Sequence, residues 1–320
     1  MTAIGHAEVA AFAIEKVNLP AEAAARYRLQ VKHLRDRLEA KIESDPGFDL
    51  VKMLHSGSVA KGTALRTVND LDVAVYVEAG SAPQDDGQLL PWLAERLVEA
   101  NPNMSADQFQ PKDHCVTVSF HGSGLDVDVV PVLYEGDAND CGYLVRKHTG
   151  ERILTSIPRH LEFIRLRKNV HGDHFKQLIR LTKWWKKIEL RRDPDFRFKS
   201  FMIELIWAHL ADAGLSLGNY PDALEGFFSF VVKNELREQI AFTDYFRASD
   251  IPARSGKAIE VLDPVNLGNN VAERYSDIDR QRIVSAAHNA LDALGEARYA
   301  TTKGDEIDCW QEVLGSGFKG

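Results

Sequence analysis

Cysteine is scarce in this chain. Its 320 residues hold three, Cys115, Cys141 and Cys309, and none makes a C-x-x-C pair or a Cys/His spacing suited to zinc. The expectation is three separate reduced thiols, which excludes a disulfide-stapled scaffold and a zinc-dependent fold. Basic excess is lacking too: 39 Lys and Arg stand against 47 Asp and Glu, a formal net charge of -8. Tight, sequence-independent nucleic-acid binding needs a strongly basic surface. Activation by a nucleic-acid duplex is therefore not expected, while small anionic substrates delivered with Mg²⁺ stay compatible. No stretch reaches the length of a membrane span. The opening residues, Met1-Thr2-Ala3-Ile4-Gly5-His6, have no basic region followed by an apolar core, so a cytoplasmic protein is expected. There is no internal repeat. No G-K-[ST] follows Gly57 at P-loop spacing, and kinase and P-loop readings fall away.

What is present is a chain 44% hydrophobic, ample for a buried core and long enough for two lobes. Tyr27, Val31, Leu34, Leu38 and Ile42 form one stripe at helical spacing, which predicts a long helix from Pro20 to Ile42, stopped by Asp45-Pro46-Gly47. A short helical stretch is expected from Gly57 through Leu65. Asp70 to Val77 reads as a strand with Asp70, Asp72, Ala74 and Tyr76 on one face. Leu89 to Ala100 is helical. Cys115 to His121 and Leu125 to Tyr134 read as a hairpin joined by Gly122-Ser123-Gly124. Beyond Pro158 the pattern turns helical: 160–167, 174–191, 198–213, 221–236 and 277–299. The boundary is drawn there, giving a mixed strand and helix lobe, 1–158, and a helical lobe, 159–320.

Asp70 and Asp72 are two apart in a strand, so their Cα atoms should lie roughly 6.6 to 7 Å apart with side chains on one face. Carboxylates at that spacing converge on divalent metals about 3.5–4 Å apart. Two ionised acids so close repel each other, and Mg²⁺ or Mn²⁺ relieves the conflict with oxygen ligands and room for phosphates. The later strand carries Asp126 and Asp128, either of which supplies a third acid among apolar neighbours. A lone D-x-D is an ordinary strand feature. A Gly57-Ser58 turn upstream, where backbone N–H groups at a helix start meet phosphates, and a second acidic strand downstream make it a candidate site. Arg180, Lys183 and Lys187 lie three and four apart, opposite Leu178, Leu181 and Trp185. That spacing fits a solvated basic face as well as a triphosphate clamp.

Gly57-Ser58-Val59-Ala60-Lys61-Gly62-Thr63-Ala64-Leu65-Arg66 followed by Asp70-Leu71-Asp72 resembles the active-site signature of the polymerase-β-like nucleotidyltransferases. The branch it resembles is shared by oligoadenylate synthases and the bacterial CD-NTases of CBASS anti-phage systems. The resemblance implies an α+β fold: a nucleotidyltransferase lobe with a mixed or antiparallel sheet, a helical C-terminal lobe, and the active site in the cleft between them. In that branch the third metal acid precedes a Val-Val-Pro-like run, so Asp128, before Val129-Val130-Pro131, is preferred to Asp126. The resemblance implies that Asp70, Asp72 and Asp128 hold two Mg²⁺ (or Mn²⁺). Gly57, Ser58, Arg180, Lys183 and Ser200 would contact nucleotide phosphates, and Asn266 and Asn269, in a D-P-x-N loop, would lie near the nucleotide. ATP or other NTPs would be joined into a cyclic oligonucleotide second messenger with release of pyrophosphate. A linear 2′-5′ oligoadenylate or an extended RNA end is the alternative product. A nucleotide sensor with a dead site is disfavoured, because all three acids are kept. Effector and ancillary defence proteins are the implied partners. The small tail Gly315-Ser316-Gly317-Phe318-Lys319-Gly320 reads as mobile, with Gly320 a weak candidate for conjugation.

Overall fold

The computed structural model describes residues 4–43, 50–68, 70–147 and 149–320, with Ile42, Glu43 and Asp70 described by backbone alone. The expected helix stop at Asp45-Pro46-Gly47 lies outside the described residues. Two compact units divide the chain, Leu19–Glu162 and a second made of Met1–Asn18 with Phe163–Gly320. Sequence patterning had drawn the boundary at residue 158 and left the N-terminal segment with the first lobe.

The first unit is built on a seven-stranded mixed sheet. It contains α2 (Ala21–Glu43), β1 (Leu50–His55), α3 (Gly57–Lys61), β2 (Asp70–Glu78), α4 (Leu89–Ala100), β3 (Phe109–Pro111), β4 (Val116–Phe120), β5 (Leu125–Tyr134), β6 (Gly142–Val145) and β7 (Arg152–Thr155). The strand order is β1-β2-β5-β4-β3, with β6 paired to β5 and β7. β2 and β5 are parallel; the other pairs are antiparallel. Leu71, Val73, Val75 and Val77 of β2 and Leu125, Val127 and Val129 of β5 face one way. There they pack with Val31, Leu34 and Leu38 of α2 and Leu90, Leu93 and Leu97 of α4. Strand alternation then sends Asp72, Ala74 and Tyr76 to the opposite face. Pro131 is tolerated in a central strand because it falls where β5 has passed its last β4 partner, at Val129, and not yet met β6, at Leu133.

The second unit is helical. It holds α1 (His6–Phe12), α6 (Asp173–Arg192), α7 (Ser200–Asp212), α8 (Tyr220–Asn234), α9 (Asp277–Tyr299), α10 (Lys303–Leu314) and the short pair β8 (Leu262–Asp263) and β9 (Asn266–Asn270). The division between units falls inside α5 (Ile157–His171). α7 is buried nearly all round from Met202 to Ala211, so it is the central helix. Trp207 stacks on Phe227 at 5.0 Å, and Trp185 meets Phe228 edge-on at 4.9 Å. The tail is not loose: Phe318 is fully buried, lies 5.3 Å from the Phe12 ring, and its carbonyl accepts from Gln311 Nε2 at 2.8 Å. The mobile tail read from its small residues is thus a docked one, because one phenylalanine among the glycines finds an aromatic pocket.

Candidate active site

β2 and β5 pair in register from Asp70 opposite Asp126 to Glu78 opposite Tyr134, so Asp72 stands directly opposite Asp128. The backbone places Asp70 at the head of β2 beside Asp126; the side chain of Asp70 lies outside the described residues. Among the described residues, which include Asp72 and Asp128, no group of three or more His, Cys, Asp or Glu side chains is placed to hold a metal ion.

The Gly-Ser turn lies over this face. β1 ends at His55, paired with Val73, and the next N–H, of Ser56, donates to the Asp72 carbonyl at 2.9 Å. The chain then turns at Gly57, φ +63°, into α3. A Cβ on Gly57 would stand 1.7 Å from Asp72 Oδ2. Only glycine accepts both that backbone and that approach. Gly62, at φ +71°, ends α3 in a left-handed cap, while Thr63 N–H donates back to the Ser58 carbonyl. The helix is therefore one turn long and does not run on to Leu65.

β4 completes the acidic face. Thr117 pairs with Asp128 and Ser119 with Asp126. The Thr117 hydroxyl donates to Asp128 Oδ1 at 2.5 Å, and the Ser119 hydroxyl to Asp126 Oδ1 at 2.7 Å. Lys112 Nζ stands 4.0 Å from the same Asp128 oxygen, but its side chain is more than half exposed, and such a pair adds little. Burial, and after it the charge of Asp128, push the Cys115 thiol up to about 11. This thiol stays protonated and unreactive at neutral pH.

In the helical unit the basic residues of α6 separate by environment. Lys183 Nζ donates to Glu204 Oε1 at 2.6 Å, with side chains only 5% and 3% exposed. Arg180 Nη2 donates to Gln177 Oε1 at 2.7 Å, and burial lowers its pKa. Lys186, absent from the spacing argument, donates to the Ser200 hydroxyl at 3.2 Å. Burial first, then the charge of Lys183, lower its pKa. The Asn269 side chain donates to Asp263 Oδ2 at 3.2 Å, and Asn266 Oδ1 accepts from Gly268 N–H at 3.1 Å. Both asparagines therefore help shape the β8–β9 loop.

Sequence reasoning passed over Thr117, Lys112 and Lys186. A signal existed for the first: V-T-V-S-F alternates, and a hairpin closed at Phe120 and Leu125 counts back to Thr117 opposite Asp128. Lys186 carried one as well, since it stands three residues beyond Lys183 just as Lys183 stands three beyond Arg180.

No family model matches the chain. It is 49% identical over 317 residues to the cyclic AMP-AMP-AMP synthase of Escherichia coli (strain MS 115-1), covering 99% of this chain and 98% of that protein. It is 32% identical over 308 residues to the CBASS oligonucleotide cyclase CdnC of Escherichia coli (strain KTE188), covering 95% and 94%. Solved structures of E. coli MS115-1 CdnC, one with ATP and one in complex with HORMA-deltaN, match with a TM-score of 0.92 at 49% identity over 99% of both chains.

Proposed function

The chain belongs to the CBASS oligonucleotide cyclases, the CD-NTase branch of the polymerase-β-like nucleotidyltransferases, and from that premise we propose that its product is a cyclic trinucleotide of adenylate made from ATP. Membership makes it a nucleotidyltransferase that joins NTPs into a cyclic oligonucleotide and releases pyrophosphate. The observation that carries the product assignment is the 49% identity to a cyclic AMP-AMP-AMP synthase over nearly the whole of both chains.

We assign catalysis to the sheet unit and its acids, Asp70, Asp72 and Asp128. The donor set suits a hard divalent cation: carboxylate oxygens on neighbouring strands, with the Gly57 backbone closing over Asp72 where a side chain would intrude. When bound, two Mg²⁺ or Mn²⁺ supply charge stabilisation at the entering and leaving oxygens. Asp128 takes part in removing the proton from the attacking ribose hydroxyl. Gly57 and Ser58 offer backbone N–H groups and a hydroxyl to phosphate. In the helical unit Arg180 and Ser200 contact the nucleotide, as do Asn266 and Asn269. Lys186 rather than Lys183 joins Ser200 in this role, because Lys183 already spends its charge on Glu204.

A HORMA protein is the proposed partner, by analogy with the E. coli complex. The site of action is the cytoplasm, where NTPs are supplied; among the described residues no helix is long and apolar enough to cross a membrane. Conjugation through Gly320 is not part of the proposal; Phe318 nearby is buried and its carbonyl accepts from Gln311 Nε2.

The test incubates the protein, with and without its HORMA partner, with four NTPs and Mg²⁺. Mass spectrometry should find a phosphatase-resistant product of cyclic triadenylate mass. A phosphatase-sensitive linear oligomer, or a ring of another base, would overturn the assignment.

A further inference from the structure

Two hydroxyls of β4 each hold one acid of β5, yet only one of those acids is assigned to the chemistry. We propose that Thr117 is a positioning residue for Asp128, its hydroxyl fixing the plane of that carboxylate for cation binding. The inference rests on the reading of Asp128 as a metal carboxylate.

The terminal torsion of an aspartate is soft and roughly two-fold, so an unheld carboxylate swings. Asp128 Oδ1 is held at 2.5 Å by Thr117 Oγ1. Thr117 is itself fixed: its side chain is buried, its flanking Val116 and Val118 are wholly buried, and β4 is laddered to β5 from Val116 opposite Val129 to Phe120 opposite Leu125. Lys112 cannot do the same work, being long, exposed and 4.0 Å away. A partner locked in this way sets the orientation of a metal ligand, and losing one typically costs 10- to 100-fold in metal affinity or activity. Ser119 holds Asp126 by the same geometry and serves as the internal control.

The test uses the full-length protein and its Thr117→Val, Thr117→Ser, Ser119→Ala and Asp128→Asn variants. Mn²⁺ binding is read by electron paramagnetic resonance with a nonhydrolysable ATP analogue, alongside kcat and KM for ATP. Thr117→Val should weaken Mn²⁺ binding and lower kcat by about 10- to 100-fold with KM for ATP unchanged. Thr117→Ser should restore both, and Ser119→Ala should behave as the unaltered protein. Thr117→Ala removes the same hydroxyl should the valine variant fail to fold. Wild-type Mn²⁺ binding and kcat in Thr117→Val would overturn the inference. Equal damage in the valine and serine variants, or equal damage from Ser119→Ala, would do so too. Asp128→Asn separates this failure from that of its premise. If Asp128→Asn binds Mn²⁺ normally, the carboxylate assignment falls; if it does not while Thr117→Val does, only the role of Thr117 falls.

Discussion

Asp128 on the sheet and Lys183 on α6 are both charged residues that the family resemblance places at the active site, and their surroundings differ. Asp128 is held by a neutral hydroxyl and remains about one-fifth exposed. Lys183 is sealed against a carboxylate, with both partners nearly out of solvent. A hydroxyl orients a charge without cancelling it. A buried counter-ion cancels it, and the pair then acts as part of the core. The acidic face of the first unit thus keeps its charge partly open to solvent, whereas the Lys183–Glu204 pair of the second is enclosed among the helices.

The largest effect should come from breaking the buried pair. Lys183→Met leaves Glu204 uncompensated and should cost about 3–5 kcal/mol in urea unfolding, while Lys183→Met with Glu204→Leu should recover most of it. If the single change instead raised KM for ATP at unchanged stability, Lys183 would be a nucleotide contact and the contrast with Asp128 would collapse. Asp72→Asn is the counterpart on the sheet. It should lower turnover by more than about 100-fold, the upper end for disturbing a metal's surroundings, with no loss of melting temperature, since it relieves repulsion between neighbouring acids. Next, Lys186→Met should raise KM for ATP by roughly 10- to 100-fold, the worth of a charge-assisted hydrogen bond of about 1.5–3 kcal/mol.

The smallest effect is on pH dependence. The folded-state pKa of Lys186 lies below that of an unfolded lysine, through burial and then through Lys183. The unfolded state therefore binds more protons in the window between those two values, and stability rises with pH there. Lys186→Met should flatten that alkaline rise and add slightly to stability at neutral pH. A variant with the same alkaline slope as the parent would show that Lys186 is less buried in its charged form than the structure has it.

Legibility followed periodicity. The α2 stripe, the β2 alternation, the β4–β5 hairpin and α9 from Asp277 to Tyr299 were readable because each has a clear period or turn. The edge strand β1, the short β6 and β7, and α10 were missed. β1 has no clean alternation, with Val51 exposed, and a four-residue strand is too short to carry a period. In the site, the D-x-D spacing and the Gly-Ser turn were legible. The different partners of Lys183 and Lys186 were not, because both sit on α6 and only the position of α7, bringing Glu204 to one and Ser200 to the other, separates them.

Alternation and turn residues by themselves determined that Asp72 and Asp128 leave the buried side of their strands, and that Gly57 begins a turn, since strand period and glycine backbone freedom are local properties of the chain. Tertiary pairing alone decided that Asp72 faces Asp128, that the Gly57 backbone lies against the Asp72 carboxylate, and that Lys183 pairs with Glu204. Each of these depends on which distant segment arrives next to which, and the free energy of that arrival is carried by buried apolar faces rather than by the polar residues it brings together.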